Sequence, residues 1–230
     1  MHHYKQGKPT TQGHKGIPEG HFEEEQGLKG FFGPVSHLIR KKPSTRWTQI
    51  EGPLKPRLYD LVELERNSKS VRLLYNQQVS ISLRWDEKFN GKASFAERSA
   101  DGDMILFCHS GAGEILTEYG LLSYRKGQYV VIPKCIAFVV VSPEQSTFLV
   151  IENLNSHYEE PERGLVGRHA IYDTNALVQP DLAALEKKIS ELSLDVKEIR
   201  VKRDGQVTRF TYDETIFDVV GWKGDLYPFT

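Results

Sequence analysis

A series of short apolar runs, VRLLY, VSISLRW, MILFCH, EILTEY, LLSY, YVVIP, IAFVVV and TFLVIE, occupies the middle of the chain. Each is too short for a core-facing helix and rich in β-branched and aromatic residues, so the spacing predicts an all-β sandwich or barrel. Glycines fall between the runs, in DGD at 101–103, SGAG at 110–113, YG at 119–120 and KG at 126–127, where tight turns need positive φ.

The flanks differ in composition. Residues 1–67 carry prolines at 9, 18, 34, 43, 53 and 56 and show no sustained period of 3.6 or 2, which reads as an extended arm. Phe22, Phe31, Phe32, Trp47 and Tyr59 give that arm aromatic anchors suited to wrapping a neighbouring surface. After the strand-rich stretch of 68–155, residues 156–230 hold one helix, DLAALEKKISEL at 181–192, with Asp181 as its N-cap. The run EIRVKRDGQVTRFTY then predicts a hairpin turning at Asp204-Gly205.

Charge and cysteine content narrow the function classes. With 30 Lys+Arg against 31 Asp+Glu there is no global field to draw nucleic acid or an anionic membrane. No apolar run approaches a bilayer span, and the start MHHYKQGKPT lacks a signal-peptide centre, so a cytoplasmic protein is expected. Cys108 and Cys135 both lie in apolar runs and read as reduced, buried thiols. There is no Ser/His/Asp order, phosphate-binding Walker loop or dinucleotide fingerprint.

The stretch LFCHSGAGEILTEYG, 106–120, raises the question of a metal, because His109 lies near Glu114 and Glu118 beside a turn. Gly127, Pro133 and Phe138 have the spacing of the second half of the cupin pattern, with Cys135 in place of its glycine and Phe138 in place of its histidine. Anchoring the first half on Gly111 puts Met104 at the glutamate and the histidine pair among Glu97, Arg98, Ser99 and Ala100. No ligand of the pattern is retained. His109 then reads as a strand-end histidine at a hairpin, Glu114 as its cross-strand neighbour and Glu118 as an outward strand residue. His37 and His169 read as surface or interface residues, since neither has a second histidine at ligand spacing; His2, His3, His14 and His21 carry little signal. A metal site made by His37, His169 and a neighbouring subunit is a minor alternative.

Longer stretches go further. IPEGHFEEEQGLKGFFGPVSHLIRKKPSTRWTQIEGPL, SADGDMILFCHSGAGEILTEYGLLSYRKGQYVVIPKCIAF, ERGLVGRHAIYD and FDVVGWKGDLYPF, in that order, resemble the N-terminal portion of the homogentisate 1,2-dioxygenases of bacterial type. The resemblance implies a mainly β, cupin-like jelly-roll barrel with an extended N-terminal arm, one short helix and a C-terminal hairpin. It also implies a ring-cleaving enzyme of tyrosine and phenylalanine catabolism that converts homogentisate and O2 to maleylacetoacetate on Fe(II), held by two histidines and a glutamate, in a homo-oligomer. Those ligands belong to a second half following the segment that GWKGDLYPF resembles, and the chain ends at Thr230. Accordingly no catalytic, cofactor-binding or metal-ligating residue is assigned here, and the chain alone is expected to be inactive and free of stoichiometric iron. The alternative is a free-standing, metal-less cupin acting as a binding or assembly module.

Overall fold

In the computed structural model of the chain, residues 4–12, 14–30, 32–61, 64, 68–159 and 174–230 are described. They form two units, 1–64 and 65–230. The first holds β1 (Phe22–Lys29) and β2 (Phe32–Arg40), an antiparallel hairpin. This differs from the arm without regular period expected from the sequence. The hairpin escapes a periodicity test because none of its described residues is fully buried, so no alternation of apolar residues is imposed.

The second unit contains β3 (Ser70–Tyr75), β4 (Val79–Asp86), β5 (Ala96–Ser99), β6 (Asp103–Ser110), β7 (Ala112–Thr117) and β8 (Gly120–Arg125). It continues with β9 (Tyr129–Ile132), β10 (Phe138–Val141), β11 (Ser146–Asn153), helix α1 (Leu182–Leu192), β12 (Glu198–Arg203) and β13 (Gln206–Thr211). One sheet has the order β13-β12-β5-β10-β7-β8 and the other β3-β4-β11-β6-β9. Strands β4 to β11 thus divide between two four-stranded faces, β5-β10-β7-β8 and β4-β11-β6-β9, switching sheet at every step except the β7–β8 hairpin, which is jelly-roll topology of the cupin kind.

Both faces of the β5-β10-β7-β8 part of the first sheet are covered. Leu106, Ile115, Leu122, Val130, Phe138 and Phe148 interlock between the sheets. Leu116, Leu121, Ala137 and Val139, from the opposite face of the same sheet, pack with Leu185, Leu194 and Val196 of α1 and its exit. Adjacent residues such as Ile115-Leu116 and Leu121-Leu122 are therefore each buried, in different cores, and the sequence reads there as a continuous apolar run.

Helix α1 begins where Asp181 accepts from the Ala184 amide at 3.0 Å and ends at Ser193, whose φ is 50°. The β12–β13 hairpin turns through Asp204 and Gly205, both at positive φ, as the sequence predicts. It is no separate appendage, because β12 pairs in parallel with β5 and extends the barrel sheet.

The ending VVGWKGDLYPFT is docked on this unit. Pro228 is fully buried, Phe229 bridges Val131 through backbone bonds of 2.8 and 3.1 Å, and the Trp222 Nε1–H donates to the Tyr119 carbonyl at 2.8 Å. At DGD, Gly102 serves close approach instead of positive φ: a Cβ there would lie 1.8 Å from the Asn153 carbonyl oxygen. Among the described residues no helix is long and apolar enough to cross a membrane.

Leu116, 0% exposed between sheet and helix, should cost about 2–5 kcal/mol on truncation to alanine. Leu54→Ala, at 89% exposure, should change stability by less than about 0.5 kcal/mol. Urea unfolding midpoints with unchanged slope check both values.

Candidate functional site

Strand β4 turns a polar face inward. Ser80, Ser82 and Arg84 line a cavity of about 1100 Å³ at the open end of the barrel, together with Glu97, Met104 and Phe138. Arg84 is buried, so its permanent charge needs carboxylate partners. Asp86 takes Nε at 2.6 Å and Nη2 at 2.8 Å, while Glu97 takes Nη1 at 2.6 Å and Nη2 at 3.1 Å. Lys69 closes the cluster, 3.0 Å from Asp86 and also paired with Glu97. The guanidinium carbon stands 5.4 Å from the centroid of the Phe138 ring.

A second cluster lies along the same opening. Glu152, buried, accepts from the Ser99 hydroxyl at 3.0 Å and pairs with Lys202 of β12, which stands 3.5 Å from Asp101. Asp103, also buried, accepts from the amides of Lys134 at 2.7 Å and Tyr158 at 2.9 Å, with His157 Nδ1 at 3.1 Å.

These contacts set the charge states. Burial alone works to lower the Arg84 pKa, but the charges of Glu97 and Asp86 outweigh it and raise it above the ordinary arginine value. For Asp86 and Glu97, burial works upward, and the Arg84 charge, its hydrogen bonds and Lys69 win, leaving both carboxyls below their ordinary range. The Cys108 thiol is pushed up by burial, as befits a reduced core residue.

The positions singled out by the cupin spacing fall as follows. Phe138 pairs with Glu97 across β10 and β5, and Met104 and Phe138 are both buried between the sheets. Cys135 is exposed, not buried as expected, and its φ of 67° is the left-handed conformation that a glycine in its place would take freely. His109 is exposed at the end of β6. It marks no hairpin: β6 and β7 belong to opposite sheets, and Gly111, at φ 95°, lets the chain cross between them. Glu114 consequently does not face His109 and instead pairs with Lys188 of α1 at 2.8 Å. Glu118 is no outward strand residue either; in the turn after β7 it pairs with Arg98 at 2.7 Å and accepts from the Ala137 amide at 2.8 Å. His169 lies outside the described residues.

Sequence reading missed the ionic lining of the opening. The signal for Glu152 was available, since it continues the inward row Ser146, Phe148, Val150 at period two. It also missed that His37 meets His14 and Glu23 in the hairpin unit, with all three ligand atoms within 4.8 Å of one another.

In the barrel opening, the donors do not fit a divalent metal. Glu97 is engaged by two cations, its neighbours at the spacing-derived positions are Ser99, Met104 and Phe138, and a fixed guanidinium occupies the approach.

Depressed carboxyls bind protons less readily in the folded chain than in the unfolded one. Their contribution is fully present above the ordinary values of 3.8 for Asp and 4.5 for Glu, and is lost as pH falls through the lowered ones. Stability measured by urea unfolding should therefore fall below about pH 4.5, and the Asp86→Asn/Glu97→Gln pair should flatten that fall. Arg84→Met, which takes the bidentate partner from buried Asp86 and leaves it Lys69, should cost about 3–5 kcal/mol at neutral pH.

Comparison with known proteins places this geometry in context. A homogentisate 1,2-dioxygenase of Drosophila melanogaster is 29% identical over 133 residues, covering 57% of this chain and 29% of that protein. A protein named as a dioxygenase from Saccharolobus solfataricus is 28% identical over 227 residues, covering 90% of this chain and 57% of that protein. The chain therefore spans from under a third to a little over half the length of these curated relatives. A cupin superfamily protein from Desulfitobacterium hafniense, of known structure, aligns with 46% of this chain and 99% of its own at 16% identity and a TM-score of 0.36. The model described as homogentisate 1,2-dioxygenase N-terminal matches residues 32–230, and the chain belongs to that family.

Proposed function

We propose that this chain is the N-terminal, non-catalytic half of a homogentisate 1,2-dioxygenase-like enzyme, a scaffold whose iron site lies in a C-terminal half. The observation that carries this reading is Arg84, clamped between Asp86 and Glu97 over the Phe138 ring, where the cupin spacing would require metal ligands. A ring-cleaving Fe(II) centre needs two imidazoles and a carboxylate facing open positions for substrate and O2. The barrel offers no imidazole at those positions, and a guanidinium, which stays charged at any ordinary pH, opposes entry of a divalent cation.

In this reading the barrel contributes shape. Its sheet faces are consolidated by α1 and by the docked C-terminal segment, and the homo-oligomeric cytoplasmic enzyme receives its chemistry from the half that follows. The family membership over residues 32–230 and the dioxygenase names of the relatives support the activity class.

Oxygen-electrode measurements on the purified chain, incubated anaerobically with Fe(II) and then given homogentisate in air, test the assignment. No homogentisate-dependent oxygen uptake is expected. Uptake that persists in a His14→Ala/His37→Ala chain would place catalysis in this barrel and overturn it.

A further inference from the structure

The hairpin unit poses a stability problem of its own. None of its described residues is buried, and a two-stranded hairpin without a packed face is marginal in water. Yet one carboxylate in it is well shielded: the Glu23 side chain retains only 10% exposure, against 73% for His14 and 32% for His37.

The hairpin register explains the convergence. Glu25 stands opposite His37, and Glu23, two residues earlier on the same face of β1, reaches the imidazole diagonally. His37 Nδ1 lies 2.8 Å from Glu23 Oε1. From the other side, a turn closed by the Lys15 amide on the Gln12 carbonyl at 2.7 Å delivers His14, whose Nδ1 contacts Glu23 Oε2. The two rings stand edge to face, with centroids 5.5 Å apart. Each carboxylate oxygen is thus taken by one imidazole, and the three donor atoms fall within 4.8 Å of one another. Metal bonds of about 2.0–2.1 Å set tetrahedral ligand atoms about 3.3 Å apart, so small side-chain rotations suffice to close the set on an ion.

We propose that His14, Glu23 and His37 bind a divalent transition-metal ion of the zinc class, clipping the N-terminal turn onto the β1–β2 hairpin. Two imidazole nitrogens and one carboxylate suit zinc or cobalt, whereas calcium and magnesium favour shells of oxygen. Three protein ligands leave a coordination position for water. The ion replaces the protons that link the imidazoles to the carboxylate, and supplies the cross-link that this coreless unit otherwise lacks. Two of the three ligands, His14 and Glu23, precede the stretch matched by the family model.

The test uses the full chain carrying His2→Ala and His3→Ala, which removes the adjacent imidazoles at the start of the sequence that would capture metal on their own. Metal-free protein is titrated with Co(II), followed through its visible d–d bands, and zinc is then added as competitor. One saturable equivalent displaced by zinc is expected. Glu23→Gln and His37→Ala should each weaken binding at least about 100-fold, since losing a ligand costs more than losing the hydrogen bond behind one. His21→Ala should leave it unchanged, because that ring's Nδ1 is bonded to the Glu19 carbonyl at 2.9 Å. Imidazole ¹⁵N resonances of the unsubstituted ligands, recorded with zinc, guard against misfolded variants: those of His14 and His37 should shift together. Absence of saturable binding, equal affinity in the ligand variants, or shifts confined to other histidines would overturn the proposal.

Discussion

The buried charge of Arg84 is the constraint on which the barrel opening is built. A guanidinium removed from water must be paired and hydrogen-bonded, and its partners here come from different sheets: Asp86 from its own strand and Glu97 from β5 across the opening. A second clasp, Glu152 of β11 with Lys202 of β12, crosses between the same two sheets. The ionic rim thus does mechanically what a metal with ligands on both sheets would do, tying the open end together, while the apolar residues below it fill the interior.

Packing outside the rim follows from covering both faces of one sheet. Its outer face would otherwise expose Leu116, Leu121 and Val139; α1, anchored by Leu185, covers them, and the segment around Pro228 closes on β9. The C-terminal stretch is consequently part of the barrel unit, and the parallel pairing of β12 with β5 draws the hairpin into the same sheet.

Much of this was legible in the sequence, and the exceptions have physical causes. The eight central strands, the α1 boundaries and the Asp204-Gly205 turn rest on local signals, period two, capping and positive φ, which act within a few residues, whereas β5 (Ala96–Ser99), polar and four residues long, and the β1–β2 hairpin carry no such signal. The placement of Met104 and Phe138 inside the barrel followed from motif spacing. By contrast, Ser80, Ser82, Arg84 and Asp86 alternate as an outward face would, and only the tertiary fold turns that polar row inward. Reading His109 and Glu114 as cross-strand neighbours failed because Gly111 sends the chain to the opposite sheet, a long-range event that a glycine in a turn does not announce. His14 and Glu23 were invisible as partners of His37 because hairpin register, not sequence spacing, brings them together.

Iron content separates the barrel from the hairpin unit most directly. A chain carrying His14→Ala and His37→Ala, with His2 and His3 also replaced, keeps every residue of the barrel opening. After anaerobic incubation with excess Fe(II) and desalting, it is expected to retain no stoichiometric iron. Retention of an equivalent that Glu97→Gln abolishes would contradict the account, because it would show a metal held where Arg84 is taken to hold the two sheets.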